Sequence, residues 1–336
     1  MDQQNRRRFP THTRVWNLRG DCARKTGGIP SIISPPQDAK LFGGSMATID
    51  DVSIVNSNTA AATEFPAGLQ RVLCSPETCG SHRLTVIRRT VLEGRQMAVE
   101  AGGDYHLIYT MASAADASIE FDGQNHALTE GAGVLLAPGE TAKLLVAAGQ
   151  LDILHLNVPA PPADVEADLS SGPGYFFNRD TLRSLSDASG GRVRRFCAES
   201  SVRLEDGSRL TTTNAIQAGE MHYHDGGSSP YHMHTGTDAN PQGADHCYMT
   251  FKGHGKVEVG ETSQAIEPGT LVYFPPGVPH RLRAIDGPLD YFEIQAWRSF
   301  KTSILSEEEL GLRWYYDDSK ADDGARPDHR VEWNQT

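Results

Sequence analysis

Four histidines in the C-terminal part of the chain combine residue type and spacing in a way that can hold a metal ion. Gly226 is followed, after five residues, by His232-Met233-His234; beyond a loop comes His246, and after six more residues Gly253. Downstream, Gly269 and five further residues lead into Pro275-x-Gly277-x-x-His280. Alternate side chains of an extended strand point to the same side, so His232 and His234 share a face. A histidine reached through a Pro-Gly turn approaches that face from another strand. Neutral imidazoles suit Fe, Mn, Ni, Cu or Zn, whereas Mg and Ca prefer oxygen. Any one of these histidines alone would read as an ordinary core or surface residue. The joint register of His-x-His, both closing glycines and the turn reads as a metal site.

The elements that must position these residues are strands. With 33 Gly and 19 Pro, the chain is punctuated into many short β-branched runs, among them 210–216, 246–251, 256–259, 271–274 and 289–296. An internal repeat accounts for the length. The run His106–Ser113 lies over His246–Gly253, Gly131–Gly139 over Ile266–Gly277, Leu151–Asn157 over Leu289–Gln295, and Arg83-Leu-Thr over Arg209-Leu-Thr. The copies differ where chemistry would sit: no His-x-His precedes His106, and Ala142 stands in place of His280. His106 and His155 therefore read as hydrogen-bonded interior histidines, and the first copy as structural, or as a small-molecule or subunit-contact surface.

These patterns divide the chain into an arm at 1–65, a first barrel at 66–160, a linker at 161–204, a metal-binding barrel at 205–300 and a tail at 301–336. The arm and linker are rich in Gly, Pro and small residues. Asn178-Arg-Asp-Thr predicts a short helix capped by Asn178 or Asp180, and Ser306-Glu-Glu-Glu-Leu predicts a capping box opening a C-terminal helix. After Tyr316 a charged, loose tail is expected.

Composition sets further bounds. The 336 residues carry 31 Lys+Arg against 43 Asp+Glu, a net charge of −12 that repels phosphate backbones and excludes nucleic acid as the expected partner. No apolar run approaches the roughly 18 residues of a membrane span, and Arg7-Arg8 is not followed by the apolar stretch of an export signal. The expected location is cytoplasmic. Five cysteines form no disulfide framework and no Cys-x-x-Cys pattern; Cys74 and Cys79 are close enough to bridge, but reduced thiols are the expectation.

The two motifs resemble the cupin superfamily, and their duplication resembles a bicupin, over residues 205–298 clearly and 66–160 more faintly. The resemblance implies an all-β fold of two tandem cupin barrels (double-stranded β-helix, jelly-roll) with an N-terminal arm and short helices. It also implies one divalent transition metal per chain, Fe(II) first, with Mn, Ni, Zn or Cu as alternatives, held by His232, His234 and His280. Counting back from Gly253, the family's acidic ligand is replaced by His246, and the eleven residues Thr235–Asp245 make an unusually long gap before it. Either His246 completes an all-imidazole site, or Asp245 or Asp238 swings in from that loop. Cupins lacking the acidic ligand include dioxygenases that split C–C bonds of dicarbonyls or hydroxylated aromatics. The resemblance thus implies an oxygenase taking a small organic substrate and O2, in a homo-oligomer. The rival uses the same site as a Lewis acid without O2, as a cyclase, isomerase, lyase or aminohydrolase; a third reading is a non-catalytic binding protein.

Strand alternation adds candidate groups. With His246 inward, Tyr248 and Thr250 share its face, and Tyr248 offers a phenol for proton transfer. On the last strand Glu293 and Gln295 share a face, as His155 and Asn157 do in the first copy; Glu293 could orient an imidazole or act as base, and it needs a partner if buried. The second His-x-His, His222 and His224, lacks a partner motif and reads as pocket or surface; His254 reads as an exposed turn residue.

Overall fold

The computed structural model describes residues 47–113, 115–162, 172–187, 192–199, 201–204, 209–211, 215–237, 240–297, 301–305, 312–317 and 330–332. Their regular structure is overwhelmingly antiparallel strand, in two barrels that belong to one unit, Lys40–Thr336. No helix among them is long and apolar enough to cross a membrane.

In the first barrel a seven-stranded sheet runs in the order Tyr175–Asn178, Ala132–Leu136, Asp104–Ser113, Gln150–Pro159, Thr85–Leu92, Gly68–Cys74, Thr63–Phe65. It belongs with a four-stranded sheet of Gln96–Glu100, Thr141–Ala148, Asp116–Phe121 and Gln124–Ala127. Alternation in Thr141–Ala148 buries Ala142, Leu144 and Val146 while Lys143 and Leu145 face solvent. The inward set joins Val99, Ile108, Ile119, Val134 and Ile153 in one apolar cluster.

The second barrel repeats the larger sheet. Its order is Ser53–Asn56, Thr270–Phe274, Asp245–Val259, Arg281–Ala296, Gln217–Tyr223, Arg192–Ala198, Leu185–Asp187, with Thr262–Ile266 also on Asp245–Val259. The repeat read from sequence is repeated in the pairing. His106 sits opposite Leu136 and Asn157, and His246 sits opposite Phe274 and Gln295. The two large sheets pack on each other. Leu107, Leu154 and Leu156 share a core cluster with Cys247, Met249, Phe292 and Ile294, which puts His246, Tyr248 and Thr250 on the opposite, inward face.

The segment boundaries read from sequence shift in three ways. The arm's Ser53–Asn56 pairs with Thr270–Phe274 of the second barrel, while the linker's Tyr175–Asn178 pairs with Ala132–Leu136 of the first, so each barrel is completed by a strand from outside its own segment. The linker also supplies Arg192–Ala198 to the second barrel. Arg209-Leu-Thr does not match Arg83-Leu-Thr: Thr85 pairs with Asn157 and Gln217 with Gln295, so the counterpart of Thr85 is Gln217, and Arg209–Thr211 forms a separate hairpin with Ser201–Arg203.

The helical expectations shrink. Asn178 caps a single 3-10 turn, Arg179–Thr181, accepting from the Asp180 amide. The one short α-helix among the described residues, Pro76–Cys79, has Ser75 as cap and ends at Gly80, where φ of 74° suits glycine. Contrary to the expected reduced thiols, a disulfide joins Cys74 and Cys79 across this turn. Of the tail, the capping box at Ser306 lies outside the described residues. The described parts are strands rather than a loose segment: Lys301–Leu305, Leu312–Asp317 and Arg330–Glu332 extend a sheet from His232–Thr235.

Candidate metal centre

The strand carrying His-x-His and the turn carrying His280 are joined by backbone. The His232 amide donates to the His280 carbonyl (2.9 Å), and the His280 amide donates back to His232 (2.7 Å). The Gly277 amide donates to the His234 carbonyl (2.7 Å) from a residue at φ of 82°, a conformation that glycine adopts without strain. His246 enters from the long strand Asp245–Val259 of the large sheet.

The four side chains meet: one nitrogen from each of His232, His234, His246 and His280 lies within 4.8 Å of the others, and all four residues are at most 7% exposed. The outer nitrogens of His232, His234 and His280 are held in place. His232 Nδ1 is 2.9 Å from the Pro230 carbonyl and His280 Nδ1 is 2.9 Å from the Val278 carbonyl. A carbonyl only accepts, so both Nδ1 atoms carry the proton and both Nε2 lone pairs face the cluster. His234 Nδ1 bonds the Thr302 hydroxyl (3.1 Å). The His280 Nε2 has no hydrogen-bond partner among the described residues although the side chain is 1% exposed. A buried acceptor aimed at three other imidazoles is what a metal ligand requires, so these residues fit a transition-metal ion.

Electrostatics agree with that fit. Burial, then the neighbouring His246, lowers the His232 pKa to about 3, and burial followed by His232 and His246 holds His280 well below the ordinary histidine range. Both rings are therefore neutral at pH 7, the form that coordinates.

The surrounding groups fall as alternation proposed. Tyr248 is buried, its ring 4.5 Å from that of His246 and 5.9 Å from that of His280. Glu293 Oε1 lies 3.5 Å from His246 Nε2 and accepts from the Gln295 amide (3.0 Å), while Oε2 is 4.0 Å from Arg192. The partner a buried Glu293 requires is thus supplied by Gln295 and Arg192. Gln295 also lies 3.3 Å from His234 Nε2.

Asp245 turns away from the cluster. Its carboxylate accepts from the amides of His82 (3.1 Å) and Arg83 (2.7 Å) and from the Tyr273 hydroxyl (2.9 Å). Arg83 in turn reaches the Asn240 and Gln242 side chains (3.0 and 2.7 Å), fastening the loop before His246 to the first barrel. Asp238 lies outside the described residues. His222 bonds Asp290 and stacks edge-on with His224, apart from the four-histidine cluster. His254 is exposed as expected, but within the long strand rather than a turn. His106 and His155 bond each other (2.8 Å).

Three contributors escaped the sequence reading: Thr302, Arg83 and Arg192. The alternating Lys-Thr-Ser-Ile-Leu run at 301–305 was the available sign of a strand carrying Thr302. Neither arginine carries a local signal.

Residues 219–294 match the cupin domain family. No curated protein sequence matches the chain. Among solved structures, a glyoxylate-induced protein from Pseudomonas aeruginosa superimposes with a TM-score of 0.58 at 11% identity, covering 80% of this chain and 93% of that one. An oxalate decarboxylase from Lactobacillus farciminis gives 0.53 at 14%, covering 72% and 85%. A point variant of Bacillus subtilis oxalate decarboxylase gives 0.54 at 10%, covering 84% and 89%. Four clustered histidines in a barrel whose residues 219–294 match the cupin domain, with a barrel of the same pairing beside it, give the chain a fold of two cupin-like barrels and a site able to hold a metal ion.

Proposed function

We propose that this bicupin is a metalloenzyme that breaks a C–C bond of a small, enolisable dicarbonyl or hydroxylated aromatic, using Fe(II) and O2. One observation carries the reading: the donor set is four imidazoles, with the nearest carboxylate, Glu293, outside it and already engaged. When bound, such an ion keeps its full positive charge and supplies strong Lewis acidity and, as Fe(II), electrons for dioxygen. His232, His234, His246 and His280 would hold it.

The protein's own groups do the rest. Glu293 Oε1, beside His246, accepts the proton that an enol or phenol loses on binding, and Arg192 beside Oε2 steadies the charged form. The Tyr248 hydroxyl donates to a substrate oxygen or returns a proton to product. The buried Phe274, Tyr248 and Tyr291 rings around the cluster keep water out.

A second reading is a metal-dependent lyase that needs no net O2. It is favoured by fold neighbours that are oxalate decarboxylases. An oxygen electrode separates the two. Iron-loaded protein with 2,4-pentanedione or catechol is expected to consume O2 in step with substrate loss; carbon dioxide release from oxalate without net O2 uptake would instead establish the lyase.

A further inference from the structure

Between the two barrels lies a cavity of about 470 Å3 that none of the four histidines lines. Its size is that of a small-molecule site. One wall is apolar, with Met111, Val193, Met221 and Phe251; the remainder is charged.

Most of that charge is engaged within the wall. Arg88 pairs with Asp152 (2.9 Å), Arg179 with Glu220 (2.9 Å) and Glu130 (3.4 Å), Lys252 with Glu130 (3.3 Å), and His222 with Asp290. Arg195 is the exception. Its guanidinium has no ion pair or hydrogen bond among the described residues, although Glu220 is its direct cross-strand neighbour. Glu220 is instead held by Arg179 and by the Tyr109 hydroxyl, which donates to it. The lining therefore presents one uncommitted, half-buried cation next to an apolar wall.

We propose that this cavity binds a small organic monoanion, its carboxylate on Arg195 and its apolar body against Val193, Met111 and Phe251. A planar guanidinium offers paired N–H donors matched to a carboxylate, and the neighbouring salt bridges keep the other cations from competing for it. The apolar wall selects against inorganic ions, which have nothing to bury there. The site belongs to both barrels, since Met111 comes from the first and Val193 and Arg195 from a strand of the second. It is independent of the metal centre.

Calorimetric titration of the full chain with benzoate tests this, with benzamide as the neutral isostere and inorganic phosphate as an anion without an apolar body. Benzoate is expected to bind, with benzamide and phosphate at least about tenfold weaker. Arg195→Gln should weaken benzoate by about tenfold or more while leaving metal content and thermal stability unchanged. Val193→Glu, which places a carboxylate in the cavity, should abolish binding. His280→Ala should leave benzoate binding intact, because the site does not use the metal. Equal affinity for benzoate and benzamide, no benzoate binding, or binding lost in His280→Ala but kept in Arg195→Gln would each overturn the proposal.

Discussion

The two barrels share a pairing scheme and differ in what they put at the same places. Ala142 pairs with Val99 in the first, where His280 bridges His232 in the second. Two residues further on, Ala101 corresponds to His234; His106 corresponds to His246, His155 to Glu293 and Asn157 to Gln295. Val99, Ala101 and Ala142 belong to the apolar cluster of the first barrel, so three ligand positions there are ordinary core. In the second barrel the same positions hold imidazoles whose outer nitrogens need Pro230, Val278 and Thr302 as partners. The scaffold thus sets where a metal site can be. Polar partners in the strand ends and tail decide whether one is there.

Asp245 supplies the largest expected effect on stability. Asp245→Ala removes a buried carboxylate that joins the first barrel's His82 and Arg83 amides to the second barrel's Tyr273, and should lower stability by about 3–5 kcal/mol. Metal stoichiometry should be kept, as denaturant unfolding and elemental analysis would check; loss of metal from a folded variant would reinstate Asp245 as a ligand. Next comes Leu144→Ala in the first barrel, where a fully buried side chain is truncated. It should cost about 2–5 kcal/mol and leave the metal centre unaffected.

Thr302→Val probes the partner shell that the first barrel lacks. Without a hydroxyl for His234 Nδ1, metal affinity should fall by about tenfold or more with little change in melting temperature. An unchanged affinity in competition with a chelator would mean that the tail strand does not position the ligand.

The last comparison is of pH dependence. His232 is held at a pKa of about 3, below the ordinary value of about 6.5 of an unfolded histidine. Between these values the unfolded chain binds a proton that the folded chain does not. The contribution is therefore present above about pH 6.5 and is lost as pH falls toward 3. Making the second barrel resemble the first, with His232→Val and His280→Ala together, should flatten that acid limb in metal-free protein. Unfolding midpoints from pH 8 to 4 that run parallel for the two proteins would show that these histidines do not set it.

Much of this comparison is legible in the sequence because it is local. His-x-His, the Pro-x-Gly-x-x-His turn and period-two alternation each span a few residues, and they placed Tyr248 and Glu293 on the inward face along with His246. What was hidden depends on distant partners. Arg83 and Asp245 are 162 residues apart, and neither has a neighbour in sequence that announces the other. The exchange of Ser53–Asn56 and Tyr175–Asn178 between barrels is invisible for the same reason, since a short strand carries no record of which edge it joins. In the tail, the strand Lys301–Leu305 is a β-branched run that directly precedes the capping pattern Ser306-Glu-Glu-Glu, so two local signals adjoin and neither says which edge the run joins. The Cys74–Cys79 bridge is a matter of geometry at a capped turn, which spacing alone leaves open.

One barrel assembles a site for a metal ion, and in its copy three of the same positions are apolar core. Elemental analysis of untagged protein, set beside His280→Ala and His106→Ala, tests it most directly. About one transition-metal ion per chain is expected, lost in His280→Ala and retained in His106→Ala, because among the described residues only the second barrel assembles four imidazoles. Two ions per chain, or metal lost as completely from His106→Ala as from His280→Ala, would contradict it.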